Sequence, residues 1–328
     1  MNGISVGILG TGKYVPERRL TNADLERMVE TNDEWIVTRT GIRERRIAAP
    51  EQATSDLAYE ASLQALSAAG IKADELDLII VATITPDMFF PSTACLLQEK
   101  LGAKKAAAYD LSAACSGFIY GLANSSGFIA TGVYKNVLVV GAECLSRITD
   151  YEDRNTCILF GDGAGAVVLG PVPEGRGFKS FKLGADGAGG ELLRLQGGGS
   201  RWPSSEATIA GRRHFIEMNG RDVFKFAVRV MGSSAEEALA AAGYEKADID
   251  LLIPHQANIR IIQAALERLD LSEDKAMINL DQYGNVSAAS IPLALAEAVE
   301  QGKVKEGDTL VLVGFGGGLT WGAAVLNW

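Results

Sequence analysis

Histidine is the scarcest chemistry-bearing residue in this chain, with two among 328 residues, at positions 214 and 255. Cysteine is little commoner: four residues, at 95, 115, 144 and 157, none in a Cys-x-x-Cys pair. So few soft ligands at such spacings give no zinc or cluster site, and no metal is expected. Unpaired thiols also fit a reducing, cytoplasmic compartment better than a disulfide scaffold. Basic residues are in deficit, 31 Lys and Arg against 41 Asp and Glu, for a formal charge of −10. A field of that sign repels nucleic acid and anionic membrane. No apolar run reaches membrane-spanning length, and the start Met-Asn-Gly-Ile-Ser-Val has neither a basic n-region nor a signal-type apolar block. Aromatics are sparse at 7%, whereas 37 glycines predict tight turns and close backbone approaches.

What is present reads as α/β. A strand is expected over Gly3 to Leu9, a helix over Asn22 to Glu30, a helix over Ser55 to Ala69 and a buried strand over Leu76 to Thr83. Lys104 to Asp110 and Asn136 to Gly141 read as further strands, with a small-residue helix from Ser116 to Thr131 between them. Gly10-Thr-Gly12 invites a dinucleotide-binding reading, but Val15 stands where a third glycine is needed and Pro16 follows. That reading fails. Residues Gly187 to Arg213, rich in glycine and serine, read as an inserted loop.

The chain repeats itself. Ala69 to Ile80 matches Ala242 to Ile253 without a gap, Ser112 to Cys115 matches Ser287 to Ser290, and Asn136 to Gly141 matches Thr309 to Gly314. The offsets are 173, 175 and 173 residues, and a fourth pair, Gly165 to Leu169 with Gly322 to Leu326, is offset by 157. Collinear matches imply a duplication, with halves at residues 1–175 and 176–328. On these matches Ser290 is the twin of Cys115.

Cys115 lies where a strand gives way to a helix. Unpaired N–H groups and the helix dipole at such a start favour a thiolate, although cysteine is more often a small core residue. His255, in Pro254-His-Gln-Ala-Asn258, follows a strand, and Asn285, in Gly284-Asn-Val-Ser287, precedes a helix. A lone histidine is more often structural, and an asparagine there serves equally as a cap. A thiol, an imidazole and a carboxamide at equivalent strand exits point together to one site. Gly316-Gly-Gly318 can bring bare N–H groups close to a ligand, or simply make a tight turn. Arg221, Lys225 and Arg229 recur every fourth residue on one helix face, with Arg260 beyond the His255 motif.

The segments Ala113-Ala-Cys-Ser-Gly117, Pro254-His-Gln-Ala-Asn258, Gly284-Asn-Val-Ser-Ala-Ala-Ser290 and Phe315-Gly-Gly-Gly-Leu-Thr-Trp-Gly322 resemble those of β-ketoacyl-acyl-carrier-protein synthase III. The resemblance runs in order along essentially the whole chain and includes Asp33 to Arg43. It implies a thiolase-like fold in α/β/α/β/α layers and a homodimer. It also implies a decarboxylative condensation of a short acyl-CoA with malonyl-acyl carrier protein, giving 3-oxoacyl carrier protein at the start of fatty-acid synthesis, without cofactor. Cys115 would carry the acyl group, His255 and Asn285 would stabilise the enolate, and the N–H groups of Cys115 and Gly317 would form the oxyanion hole. Trp35 would stack on the CoA adenine with Arg154 nearby, Arg39 and Thr40 would contact the nucleotide or the pantetheine, and Phe224, Ala257 and Asn258 would line the pantetheine tunnel. Arg221 stands where the family often has Asn. Phe90, reaching across the dimer, would close an acyl pocket shared with Phe160 and Phe315, a set of aromatics favouring a short chain. Lys225 and Arg260 would dock the acidic carrier protein. Competing readings are a Cys-His-Asn thioester hydrolase, a condensing enzyme of secondary metabolism and a catalytically silent scaffold. The hydrolase lacks its usual cysteine surround, and the intact Cys, His, Asn and triple glycine speak against silence.

Overall fold

A computed structural model of the chain describes residues 4–328, so Gly3, the expected start of the first strand, lies outside them. In chain order the first part supplies β1 (Val6–Tyr14), α1 (Asp33–Thr40), α2 (Thr54–Ala69), β2 (Leu78–Ala82), β3 (Ala107–Leu111), α3 (Gly117–Ala130), β4 (Val137–Cys144) and β5 (Asp162–Pro171). The second part supplies β6 (Gly177–Ala185), α4 (Gly220–Ala242), β7 (Leu251–Pro254), α5 (Ile259–Arg268), α6 (Ser290–Glu300), β8 (Thr309–Gly316) and β9 (Thr320–Asn327). One sheet has the order β1-β5-β4-β2-β3 and the other β6-β9-β8-β7. The orders correspond strand for strand, and a parallel bridge between Leu252 and Ala276 stands where β3 pairs with β2.

The two sheets face each other across α3 and α6. Phe118, Ile119 and Leu122 of α3 and Ile291, Ala294 and Leu295 of α6 share one buried cluster with Ile80, Val139, Ile253 and Leu312. On the outer face of the first sheet lies α2, and on the outer face of the second lie α4 and α5. The result is five layers, α/β/α/β/α. Buried on both faces, the inner strands are continuously apolar, as Val137-Leu-Val-Val140 and Leu310-Val-Leu-Val313 show. Each large apolar side chain enclosed there contributes about 1.5–3 kcal/mol.

Three expectations change. First, β1 runs straight through Gly10-Thr-Gly12. A Cβ at Gly10 would collide with the Ala65 carbonyl and one at Gly12 with the Ala61 carbonyl. The glycines let a strand lie against α2 and have nothing to do with a dinucleotide. Second, the helix begun at Asn22 stops at Leu25, because Glu26, Arg27 and Met28 are exposed and give it no face to bury. Third, the segment 187–213 is ordered. It holds a 3-10 turn (Gly187–Leu192), a short strand (Leu193–Leu195) paired with Ile216–Met218, and a helix (Glu206–Ala210).

The register also corrects the repeat. Leu78 pairs with Val137 in the first sheet and Leu251 with Leu310 in the second, both shifted by 173 residues. The same shift relates the two 3-10 turns before α3 and α6, Ala114–Ser116 and Ser287–Ala289, whose first residues both have positive φ, 47° and 46°. Cys115 therefore corresponds to Ala288. Ser290 corresponds to Gly117, and the alanine-rich strings had aligned two residues out of step.

Candidate active site

The turn carrying Cys115 is braced from the second part of the chain. Ser116 Oγ donates to Thr320 Oγ1 at 2.8 Å, and Thr320 Oγ1 donates to the Ala113 carbonyl at 2.9 Å. A Cβ at Gly316 would lie 2.5 Å from the Cys115 backbone nitrogen, so glycine there lets β8 press against the nucleophile turn. Gly317 follows at once and lines the same cavity as Cys115.

Cys115 is only 7% exposed, and burial pushes its thiol up to about 12. Burial outweighs the up to ~2 kcal/mol that a helix start returns to the anion. The resting group is a thiol, contrary to the thiolate expected from the helix start alone. The Ser287 hydroxyl lies beside this thiol and beside Glu143 and favours both anions, yet it makes no well-formed hydrogen bond of its own. Glu143, fully buried at the end of β4, accepts from Thr83 Oγ1 at 3.1 Å, Thr85 N at 3.1 Å and Thr85 Oγ1 at 2.5 Å. Burial nevertheless raises its carboxyl to about 7.

His255 follows β7, its N–H donating to the Val313 carbonyl at 2.8 Å. Gln256 locks the turn: its amide donates to the carbonyls of Pro254 and Met277 at 2.8 and 3.0 Å, and its Oε1 accepts from Asn279 N at 3.0 Å. The His255 ring meets Phe315 edge-on at 5.5 Å between centroids, and its Nδ1 lies 2.6 Å from Ser290 Oγ. Enclosure pushes the imidazole down to about 3, so it is neutral at physiological pH. Asn285 accepts the Ser287 N–H on Oδ1 at 2.8 Å, which leaves its amide hydrogens for another acceptor. A Cys-His-Asn hydrolase places its asparagine on the far nitrogen of the histidine. Here that nitrogen is held by Ser290.

Two voids meet at Cys115. One, of about 520 Å³, is walled by Ile84, Phe89, Leu145, Ile148, Phe160 and Ile216. The other, of about 90 Å³, is a narrow passage lined by His255, Asn285, Phe315, Phe224, Ala257 and Asn258. Leu193, from the segment read as a loop, borders both. Asn258 caps α5 and donates to the Arg39 carbonyl at 2.9 Å, tying the passage to α1. There Arg39 and Arg154 lie over the Trp35 ring at 4.8 and 5.3 Å.

Some expected residues stand elsewhere. Thr40 is buried, and its hydroxyl serves the end of α1, donating to the Ile36 carbonyl and accepting from Ile42 N. Phe315 belongs to the passage and not to the larger cavity. Phe90 lines neither void of its own chain and is 84% exposed. Phe89, its neighbour, lines the larger cavity of its own chain. Arg221, Lys225, Arg229 and Arg260 are all exposed, with Arg260 over the Phe224 ring at 5.0 Å. Glu143, Ser287 and Gln256 escaped sequence reasoning. A carboxylate closing the apolar run Val137 to Ala142 was the one available signal.

Comparison with known proteins identifies the family. Residues 109–187 match the family model described as 3-oxoacyl-[acyl-carrier-protein (ACP)] synthase III, and residues 239–328 match its C-terminal model. A β-ketoacyl-[acyl-carrier-protein] synthase III of Desulfitobacterium hafniense (strain DSM 10664 / DCB-2) is 62% identical over 325 residues, 99% of this chain and 98% of that protein. The crystal structure of the synthase III from Thermus thermophilus superposes with a TM-score of 0.92 at 53% identity, covering 98% of this chain and 99% of that one. That from Aquifex aeolicus VF5 gives 0.91 at 49%, covering 98% and 100%. The chain belongs to the β-ketoacyl-acyl-carrier-protein synthase III family of condensing acyltransferases.

Proposed function

We propose that this chain joins a short acyl group from acyl-CoA to the two-carbon unit of malonyl-acyl carrier protein, with loss of carbon dioxide. The observation that carries the reading is the position of Cys115, at the junction of an apolar cavity and a narrow passage that contains two hydrogen-bonding side chains. A covalently held acyl group would extend into the cavity while the passage admits pantetheine. In the first half-reaction the Cys115 sulfur bonds to the acyl carbon, the bond to CoA sulfur breaks, and the thiol proton leaves with CoA. In the second, the malonyl carbon–carboxylate bond breaks and its electron pair forms an enolate, whose oxygen lies between His255 and Asn285. That enolate attacks the acyl carbonyl, whose oxygen lies by the N–H groups of Cys115 and Gly317. Neither step requires a metal or redox cofactor.

Trp35, Arg39 and Arg154 are read as the nucleotide end of the CoA site, and Lys225 and Arg260 as carrier-protein contacts. Phe89 and Phe90, with Met88, form an exposed apolar edge beside the larger cavity, which we read as the face meeting a second copy. The apolar walls of the larger cavity favour a hydrocarbon chain without fixing its length or branching. The primer therefore needs a panel: intact-mass analysis with straight and branched acyl-CoAs, followed by malonyl carrier protein. An acyl adduct should form on Cys115 and be discharged as a 3-oxoacyl product. Cys115→Ala should take no adduct, and His255→Ala should take it but not discharge it. Rapid discharge by water alone would instead establish a hydrolase.

A further inference from the structure

Ser290 opens α6 with its hydroxyl buried, the residue being 2% exposed. Among the described residues that oxygen has two polar neighbours: His255 Nδ1 at 2.6 Å and the backbone N–H of Gln256 at 3.4 Å. The second can only donate. A neutral imidazole carries one proton, on Nδ1 or on Nε2. With the proton on Nδ1, the Ser290 oxygen would face two donors and its own proton would have no acceptor, a state that protein interiors rarely leave in place. With Nδ1 bare, Gln256 donates to Ser290, Ser290 donates to His255, and every group is satisfied. The ring proton is then on Nε2.

The His255 ring borders the passage together with Cys115 and Asn285. We propose that Ser290 is a positioning residue that fixes His255 as the Nε2–H tautomer, so that His255 acts on the malonyl thioester as a hydrogen-bond donor and not as a base. Asn285 is set in the same way, since the Ser287 N–H occupies its Oδ1 and leaves its amide hydrogens free. Two donors then converge on one thioester oxygen. When the carbon–carboxylate bond breaks, the electron pair ends on that oxygen as the enolate. It returns to carbon as the new bond to the acyl group forms, and the Cys115 sulfur departs as thiolate, to be protonated from water. No ring proton is transferred. This mechanistic half rests on the condensation proposed above, whereas the tautomer does not.

The scarcity of histidine makes the test direct. In protein labelled with [15N]histidine, only His214 and His255 contribute imidazole signals, and His214→Gln removes one of them. A two-bond proton–nitrogen correlation spectrum of the whole protein should show His255 as neutral Nε2–H. In Ser290→Ala the pattern should become mixed or move to Nδ1–H. That variant should acquire its acyl group from acetyl-CoA within about twofold of the normal rate. Its decarboxylation of malonyl carrier protein should fall on the order of 10²-fold, the effect of losing one aimed donor. An Nδ1–H signal in the unmodified protein overturns the inference, as does an unchanged tautomer in Ser290→Ala or an equal loss of both half-reactions. Should Ser290→Ala fail to fold, the unmodified protein's spectrum alone decides. If Cys115 accepts no acyl group at all, the condensation reading fails while the spectrum still reports the tautomer.

Discussion

At the scale of single residues, burial dominates the chemistry of the site. Glu143 and His255 are both neutral near pH 6, and they couple stability to pH in opposite directions. The Glu143 carboxyl keeps its proton to about 7 in the folded chain against an ordinary 4.5. The folded state thus binds more protons in that window, and this contribution to stability is lost as pH rises from 4.5 to 7. His255 is pushed down to about 3 from 6.5, so its contribution is lost as pH falls from 6.5 to 3. Over the overlap the two oppose each other, and only variants separate them. Because Glu143 Oε2 collects the Thr83 and Thr85 donors, Glu143→Gln can keep an acceptor there and mimics the protonated acid. Relative to the unmodified protein it should gain up to about 3 kcal/mol between pH 4.5 and 7. His255→Ala should gain relative stability in the opposite direction, as pH falls below 6.5. Denaturant unfolding at several pH values reads both slopes, and parallel curves for either variant would refute its part. None of this was legible in the sequence. Desolvation of Cys115, Glu143 and His255 depends on side chains brought in from the other half of the fold.

At the scale of elements, what sequence revealed and what it hid divide by the origin of the order. Strands β2, β4 and β8 could be read from their apolar runs, because being covered on both faces requires such runs. Segment 187–213 could not, because its strand exists only through pairing with Ile216–Met218 and its composition has no period. Glycines misled for a related reason: the dinucleotide-like pair in β1 and Gly316 in β8 both mark backbone pressed against backbone. Gly316→Ala should therefore be a functional lesion more than a structural one. Its Cβ would also lie 2.9 Å from Ala114 Cβ, so the nucleophile turn must shift. Overpacking of this kind costs about 1–3 kcal/mol. A displacement of ~1 Å at the reacting atom should slow acylation of Cys115 on the order of 10²-fold. Gly127, exposed on α3, supplies the contrast, since a Cβ added there would meet no atom within 4 Å. Gly127→Ala should stabilise the protein by about 0.5–1 kcal/mol and leave acylation untouched. Thermal melts and intact-mass time courses on both variants check this, and equal acylation rates in the two would sink it.

At the scale of the whole molecule, the duplication places Cys115 from one part beside His255 and Asn285 from the other, and that much was visible from collinear repeats. Its register was not. Ser-Ala-Ala strings align equally well two residues apart, and only the strand pairing resolves Ala288 as the counterpart of Cys115. The overall charge of −10 poses the remaining question for the proposed function, under which a carrier protein read as acidic approaches a molecule of like charge. Arg221, Lys225, Arg229 and Arg260 offer a local exception. Arg260 lies over Phe224, whose ring lines the passage, which places positive charge at its rim. Lys225 is partly offset by Asp222 at 3.3 Å, so Arg260 should matter more. Exposed charge pairs contribute about 0–1 kcal/mol each. Reversing both, Lys225→Glu with Arg260→Glu, should therefore raise KM for malonyl carrier protein about tenfold, with kcat and acylation by acyl-CoA nearly unchanged. Screening sharpens the test: the Debye length contracts from ~8 Å at physiological ionic strength to ~3 Å at 1 M salt. The gap between variant and unmodified protein should close accordingly. A KM defect that persists in high salt would mean that the two side chains act through packing along the passage and not by steering the carrier.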